Sequence, residues 1–449
     1  MNIASDIGVL FVLFFLLWRL RHRDTSFFLR PSIVFIVLGL LLYLIPITLF
    51  RDKIRVISPY IDEVGLLLSL VFSIAIVLIY LGQKFLVRFE IRKDASEPGD
   101  AGKFLAFAIA ILIGITFIYF QFRDFKQTGL YALLCSPENY TLWREQSMKL
   151  LKQKWLSYLY LIGFSFLCPL ICAFLVDKIV STPTKQRIIF ASLGFPIVAI
   201  VVFYLMITGA RVGILNCVFA VTGVLFLRLS FYRFLIAFSG CVAGGIAIAV
   251  LISILSVGGG AAQNVGFCTD SRQEPVVSLS EEIFPGDYLD GVIHRMMIMP
   301  GVIAGFFVEE AYGNFRPLEA FAIRDRNIAN LIATKYGQRL FGREPVETAL
   351  APTTFIFMNF LYFGYFSVIV SIIGIVLLDA PLFFLNRLPW ALSVPLVSVG
   401  LFYSAVFLQT GFFTVFFSHG YAFYCGLIGV TFLWHLRAGR GKDNLGIPS

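Results

Sequence analysis

The feature that most constrains this chain is a series of uninterrupted apolar runs, each near twenty residues long. A helix rises ~1.5 Å per residue, so about twenty residues cross the ~30 Å hydrocarbon core of a bilayer. Within lipid, only helices and closed barrels satisfy every backbone N–H and C=O. Barrel strands alternate apolar and polar residues over ~10 positions, and these runs do not alternate. Composition agrees. Of 449 residues, 59% are hydrophobic and 14% charged, against roughly 45–50% and about 25% in a soluble domain. The expectation is an all-α polytopic bundle forming one integral-membrane domain over residues 1–449. Eleven spans are expected, at 6–20, 32–50, 64–83, 104–122, 155–176, 189–209, 211–227, 234–256, 352–378, 389–408 and 411–434.

The net charge of +9 reports topology rather than nucleic-acid binding, because cytoplasmic loops hold the excess of Lys and Arg. The first apolar run, Ile7 to Trp18, is followed by Arg19, Arg21 and Arg23, which is the wrong side for a cleavable signal. With the loop after span one in the cytoplasm, cytoplasmic segments carry 18 Lys and Arg and the opposite short segments 10, from Arg51 to Arg211. The other eight lie in a long loop that the rule does not count. This places the N-terminus outside and the C-terminus in the cytoplasm.

Two outer segments stand out. Residues 123–154 carry Tyr140, Trp143, Arg144 and Glu145, and residues 257–350 are too long for a plain connection. The long loop holds stretches with helical amphipathicity, Arg295 to Glu310 and Asp325 to Leu340. Neither is apolar enough to span, so they are expected to lie on the membrane surface or to cap the bundle.

Metal and nucleotide chemistry have no support in the sequence. His22, His294, His419 and His435 do not cluster, and there is no Walker loop and no H-E-x-x-H. The spans lack a chain of acidic residues, which disfavours proton-coupled transport. Cys168, Cys172, Cys217, Cys241 and Cys425 fall in apolar runs and read as small buried side chains. Cys135 and Cys268 fall in the two outer loops, where either free thiols or a bond tying the loops together is chemically allowed.

What remains is basic and outside. Thr208-Gly209-Ala210-Arg211 closes span six. Arg211 either snorkels to the interface or aims a guanidinium fork at a phosphate. His294-Arg295 runs into an apolar stretch with Glu309 and Glu310 beyond it, followed by Arg316, Arg324, Asp325 and Arg326. This basic pair either grips a lipid headgroup or marks an interfacial helix with a solvated face. Asn359 and Gly364 read as helix-packing positions.

These segments resemble an O-antigen polymerase, the membrane glycosyltransferase family that joins lipid-linked repeat units. The likeness rests on YTLWRE (140–145), TGARVGIL (208–215), HRMMIMPGVIAG (294–305) and APTTFIFMNFLYFGYFSVIV (351–370), in the family's order over roughly residues 123–378. Where the family can show Arg-Arg, this chain has His294-Arg295. The resemblance implies a glycan donor on undecaprenyl diphosphate at the outer (periplasmic) face of a bacterial inner membrane. It assigns Arg211, Arg295, His294 and Glu309 to catalysis and Arg144, Arg316, Arg324 and Tyr140 to substrate binding. It implies no metal and no cofactor. Membrane lipid, a flippase and a chain-length regulator of the same pathway would be partners. The rivals are an O-antigen ligase, which His294 keeps open, a lipid-linked oligosaccharide flippase, and a membrane scaffold.

Overall fold

The computed structural model describes residues 3–21, 25–85, 99–122, 124–125, 128–131, 154–207, 212–230, 232–240, 297–314, 325–341, 351, 353–411 and 414–444. Among them there is no strand, and the all-α fold is as expected. In chain order the main helices are α1 (Ile3–Arg21), α2 (Pro31–Leu49), α3 (Arg51–Ile57), α4 (Ile61–Phe85), α5 (Gly99–Phe122), α6 (Trp155–Ser181), α7 (Thr184–Ile207), α8 (Val212–Arg228), α9 (Met299–Asn314), α10 (Asp325–Phe341), α11 (Phe355–Phe363), α12 (Ser367–Leu377), α13 (Trp390–Phe407) and α14 (Tyr421–Asn444). Seven stretches of the described residues are long and apolar enough to cross a membrane, at 31–49, 61–82, 102–122, 155–181, 190–207, 355–385 and 390–407. Helices α1, α8 and α14 stand where spans one, seven and eleven were expected. Span eight lies outside the described residues beyond 240.

Both α2 and α6 contain a wide π-type turn, at Leu40–Leu44 and Gly163–Leu167. Each is followed within two residues by a proline, Pro46 and Pro169. A proline ring inside a helix clashes with the carbonyl four residues back and leaves it without a donor. Widening the preceding turn relieves both problems without ending the helix.

The chain forms two compact units. The first comprises residues 1–90, 280–386 and 403–417. Its core includes Phe35, packed on Phe72 at 6.1 Å and on Phe355 at 5.3 Å. At the start of α2, Asp379 accepts hydrogen bonds from the Ser32 N–H (3.0 Å) and hydroxyl (2.7 Å) and pairs with Arg30 at 3.3 Å. The carboxylate thus caps a helix N-terminus from 347 residues away in sequence, where amide donors are unsatisfied and negative charge is favoured. At the other end of α2, Asp62 pairs with Arg51 and Arg55 of α3.

The expected ninth span is not one straight helix. Asn359 donates to the Ser371 hydroxyl at 3.1 Å, and a Cβ on Gly374 would lie 3.0 Å from the Phe355 ring. In a straight helix residues 355 and 374 would be ~28 Å apart. The chain instead doubles back, with α11 and α12 as antiparallel arms joined at Gly364. That residue has φ 57°, ψ −137°, open to glycine and strained for other residues. Gly364 is therefore the bend of a hairpin rather than a packing position, and Asn359 ties its two arms. The nine-residue α11 is only ~13 Å long. Phe355 meets Phe35 and Phe357 meets Tyr43, both within the apolar run of α2. The expected eleventh span is not one continuous helix either: Gly420, at φ 82°, precedes the start of α14 at Tyr421.

The second unit comprises residues 91–279, 387–402 and 418–449. Tyr160 of α6 and Tyr204 of α7 stack at 4.6 Å, and each hydroxyl donates to the other residue's backbone oxygen, at 2.5 and 2.9 Å. The Tyr204 ring occupies the space where Gly163 lacks a side chain. Arg228 closes α8 with a two-pronged pair to Asp177, at 2.6 and 3.0 Å, and its guanidinium lies over Trp390 at 4.6 Å. Cys168 and Cys217 are buried free thiols, as expected, whereas the free thiols Cys172 and Cys425 are only partly buried, and Cys241 lies outside the described residues.

Candidate functional site

Of the residues that the resemblance assigns to catalysis or substrate binding, Glu309 is the one that the structure describes. Tyr140, Arg144, Arg211, His294, Arg295, Arg316 and Arg324 lie outside the described residues, as do Cys135, Cys268 and almost all of the 123–154 segment. The geometry around Glu309 is in the first unit.

Glu309 and its neighbour Glu310 project from α9. This helix was expected to be interfacial with a solvated face, or else a cap. Its residues 301–308 are all buried, so it sits inside the unit. The reason is its small-residue face. Gly301 faces Ile47, Ile54 and Ile61, which lie 3.2–3.6 Å from where a Cβ would be. One turn on, Gly305 meets the Ser58 side chain. Two glycines four apart let α9 approach the 47–61 segment closely enough to bury itself. Gly305→Leu is accordingly expected to force α9 off Ser58 and destabilise the fold by about 1–3 kcal/mol. Gly313, on the same helix but with open space around it, should accept leucine; melting temperatures of the two variants in detergent provide the comparison.

Helix α10 supplies the cations. Arg339 Nη1 contacts both Glu309 carboxylate oxygens, at 2.9 and 3.1 Å. The same guanidinium donates to the Ile57 carbonyl at the end of α3 and lies over Phe306 at 4.8 Å. It therefore ties three elements together, and a cation at a helix C-terminus is favourable in its own right. Lys335 pairs with Glu310 at 2.5 Å, and the Tyr336 hydroxyl donates to the same carboxylate at 3.0 Å. The Tyr336 ring stacks on Phe306 at 4.6 Å. Desolvation, together with the adjacent Glu310 charge, raises the Tyr336 phenol above its ordinary pKa, so it stays a proton donor to Glu310.

A tyrosine cluster adjoins this network. Tyr312, one turn beyond Glu309, stacks on Tyr60 at 5.4 Å, and its hydroxyl lies 2.6 Å from that of Tyr365 at the hairpin bend. Desolvation and the Tyr365 hydroxyl, with Glu63 and Tyr60 contributing, raise the Tyr312 phenol above its ordinary pKa.

Chemically, this is a braced polar end to an apolar unit. Arg51 and Arg55 share Asp62, Lys335 is matched to Glu310 and Arg339 to Glu309. A proton-accepting role for Glu309 requires a lone pair that Arg339 does not use. No group of three His, Cys, Asp or Glu side chains among the described residues is placed to hold a metal ion. Sequence reasoning missed Lys335, Tyr336, Arg339, Tyr60, Tyr312 and Tyr365. An available signal was the i, i+4 pair Lys335 and Arg339, opposite in charge to Glu309-Glu310 in the same loop.

Fold and site together define a polytopic α-helical membrane protein in which two helices of the longest loop, α9 and α10, contribute to a polar end of the first unit. No protein-family model matches the chain, and neither a curated protein nor a solved structure is significantly similar to it.

Proposed function

We propose that the chain is a metal-independent glycosyltransferase that polymerises undecaprenyl-diphosphate-linked oligosaccharide repeat units at the periplasmic face of a bacterial inner membrane. The observation that carries this reading is that α9 and α10 are built into the unit. They share an ion-paired end with α3 and the start of α4, so two helices of the long loop pack as part of the unit. The ordered sequence segments that resemble the polymerase family flank or include these helices. In this reading an acceptor hydroxyl attacks the anomeric carbon. The new glycosidic bond forms as the anomeric C–O bond to diphosphate breaks, and the hydroxyl proton passes to a base, for which His294, Glu309 and Glu310 are candidates. Charge gathers on the departing diphosphate. Preorganised guanidinium groups stabilise it, and Arg211 and Arg295 are assigned to that role, with Arg144, Arg316, Arg324 and Tyr140 holding the substrate. The excess of basic residues on the opposite loops supports the outward orientation. A flippase that delivers the repeat unit and a chain-length regulator are the natural partners.

The test is the surface polysaccharide of a strain lacking the chain. The expected result is lipid A-core capped with single repeat units, restored to long chains by the plasmid-borne gene. Free polymer that fails to join lipid A-core would make the chain a ligase, in line with His294 at the first position of the basic pair. Repeat units trapped on the cytoplasmic side would make it a flippase.

A further inference from the structure

The tyrosine cluster at the hairpin bend has a geometry that the charge network beside it does not use. Three separate elements bring it together: Tyr60 precedes α4, Tyr312 ends α9 and Tyr365 sits at the bend after Gly364. The rings are held by one another and by Phe360, which lies 6.1 Å from Tyr312 and 5.6 Å from Tyr365. Even so, Tyr365 is 73% and Tyr312 44% exposed. Glu63, exposed in the first turn of α4, is near enough to act on the Tyr312 phenol.

We infer that Tyr312 and Tyr365, with Tyr60 and Glu63, form a binding platform for the uncharged sugar rings of a glycan chain. The chemistry selects that ligand. Exposed aromatic faces receive the C–H face of a pyranose ring, and phenol hydroxyls and a carboxylate exchange hydrogen bonds with its hydroxyls. A phosphate is disfavoured, because Asp62 and Glu63 lie at the helix start beside the rings and the neighbouring Arg51 and Arg55 are already paired to Asp62. Tyrosines at the end of a span also suit a membrane interface. Here the hydroxyls of Tyr312 and Tyr365 bind each other, and the fixed rings present a preorganised face, which lowers the entropic cost of binding a ligand. The inference rests on the glycosyltransferase reading and gives it an acceptor-chain subsite close to Glu309.

The experiment uses the full chain in lipid nanodiscs, with chitotetraose and maltotetraose as probes in saturation-transfer NMR. Transfer to the sugar C–H protons is expected. The Tyr312→Ala/Tyr365→Ala double variant should weaken binding about tenfold, the scale of lost aromatic contacts. Tyr365→Phe keeps the ring face and should stay within about twofold of the parent, which separates loss of binding from loss of fold. Absence of transfer to the parent protein, or equal transfer to the double variant, would overturn the inference. So would strong quenching of an added Tyr365→Trp emission by brominated lipids, which would make the cluster a membrane anchor. The deletion strain tests the enzyme reading separately: unchanged polysaccharide there removes the reading, whereas sugar binding at the tyrosines is decided by the NMR measurement alone.

Discussion

Arg228→Ala is expected to lower the stability of the protein by about 3–5 kcal/mol, the range for removing one partner of a buried ion pair. Both side chains are nearly enclosed, at 14% exposure for Arg228 and 6% for Asp177. The truncation strands a carboxylate beneath the end of α8 and removes the cation over Trp390. The damage should lie mostly in the abandoned charge rather than in the lost attraction. Arg228→Ala combined with Asp177→Asn should therefore recover a good part of it, because the amide needs no counter-ion. Thermal unfolding in detergent, followed by the monodisperse fraction on size exclusion, checks both. Equal melting of the parent and Arg228→Ala would mean that the pair contributes nothing to stability.

The second large effect concerns activity. Arg211→Ala and Arg295→Ala are each expected to abolish long polysaccharide chains while the protein still inserts at normal levels. If either guanidinium stabilises the leaving diphosphate, its removal takes away charge that matters most in the transition state. Lysine at either position should restore only part of the chain length, since a point charge lacks the two-pronged fork. The readout is the ladder of chain lengths from a complemented deletion strain, with protein level measured alongside. Normal ladders from both alanine variants would reduce these arginines to interface anchors.

The helical class was legible because lipid enforces it: length and continuity of apolar runs such as 31–49 and 61–82 leave few alternatives. The hairpin at Gly364 was not legible by the same criterion. Residues 355–385 read as one apolar stretch, and hydropathy does not distinguish a straight helix from a folded one. The distinguishing signal was a glycine between two polar residues of the apolar stretch: Gly364 makes the bend, and Asn359 and Ser371 cross-link its arms. The burial of α9 was hidden for a related reason. Its Glu309 and Glu310 look solvated in isolation, and only the fold brings Lys335, Tyr336 and Arg339 from a second helix to meet them. Pairings of this kind depend on tertiary approach, which periodicity within one segment does not encode.

The bend at Gly364 also bears on how the protein is made. A nine-residue arm is too short to be held across a bilayer by its own hydrophobicity. Its residues 355–362 are all buried against other parts of the first unit, including Phe35 and Tyr43, which were synthesised about three hundred residues earlier. Insertion of this arm is thus a tertiary event. The early helices are an incomplete receptacle, and the arm enters only when its own segment, about three hundred residues further along, emerges. Until that step the face of α2 that carries Phe35 and Tyr43 lacks its partner.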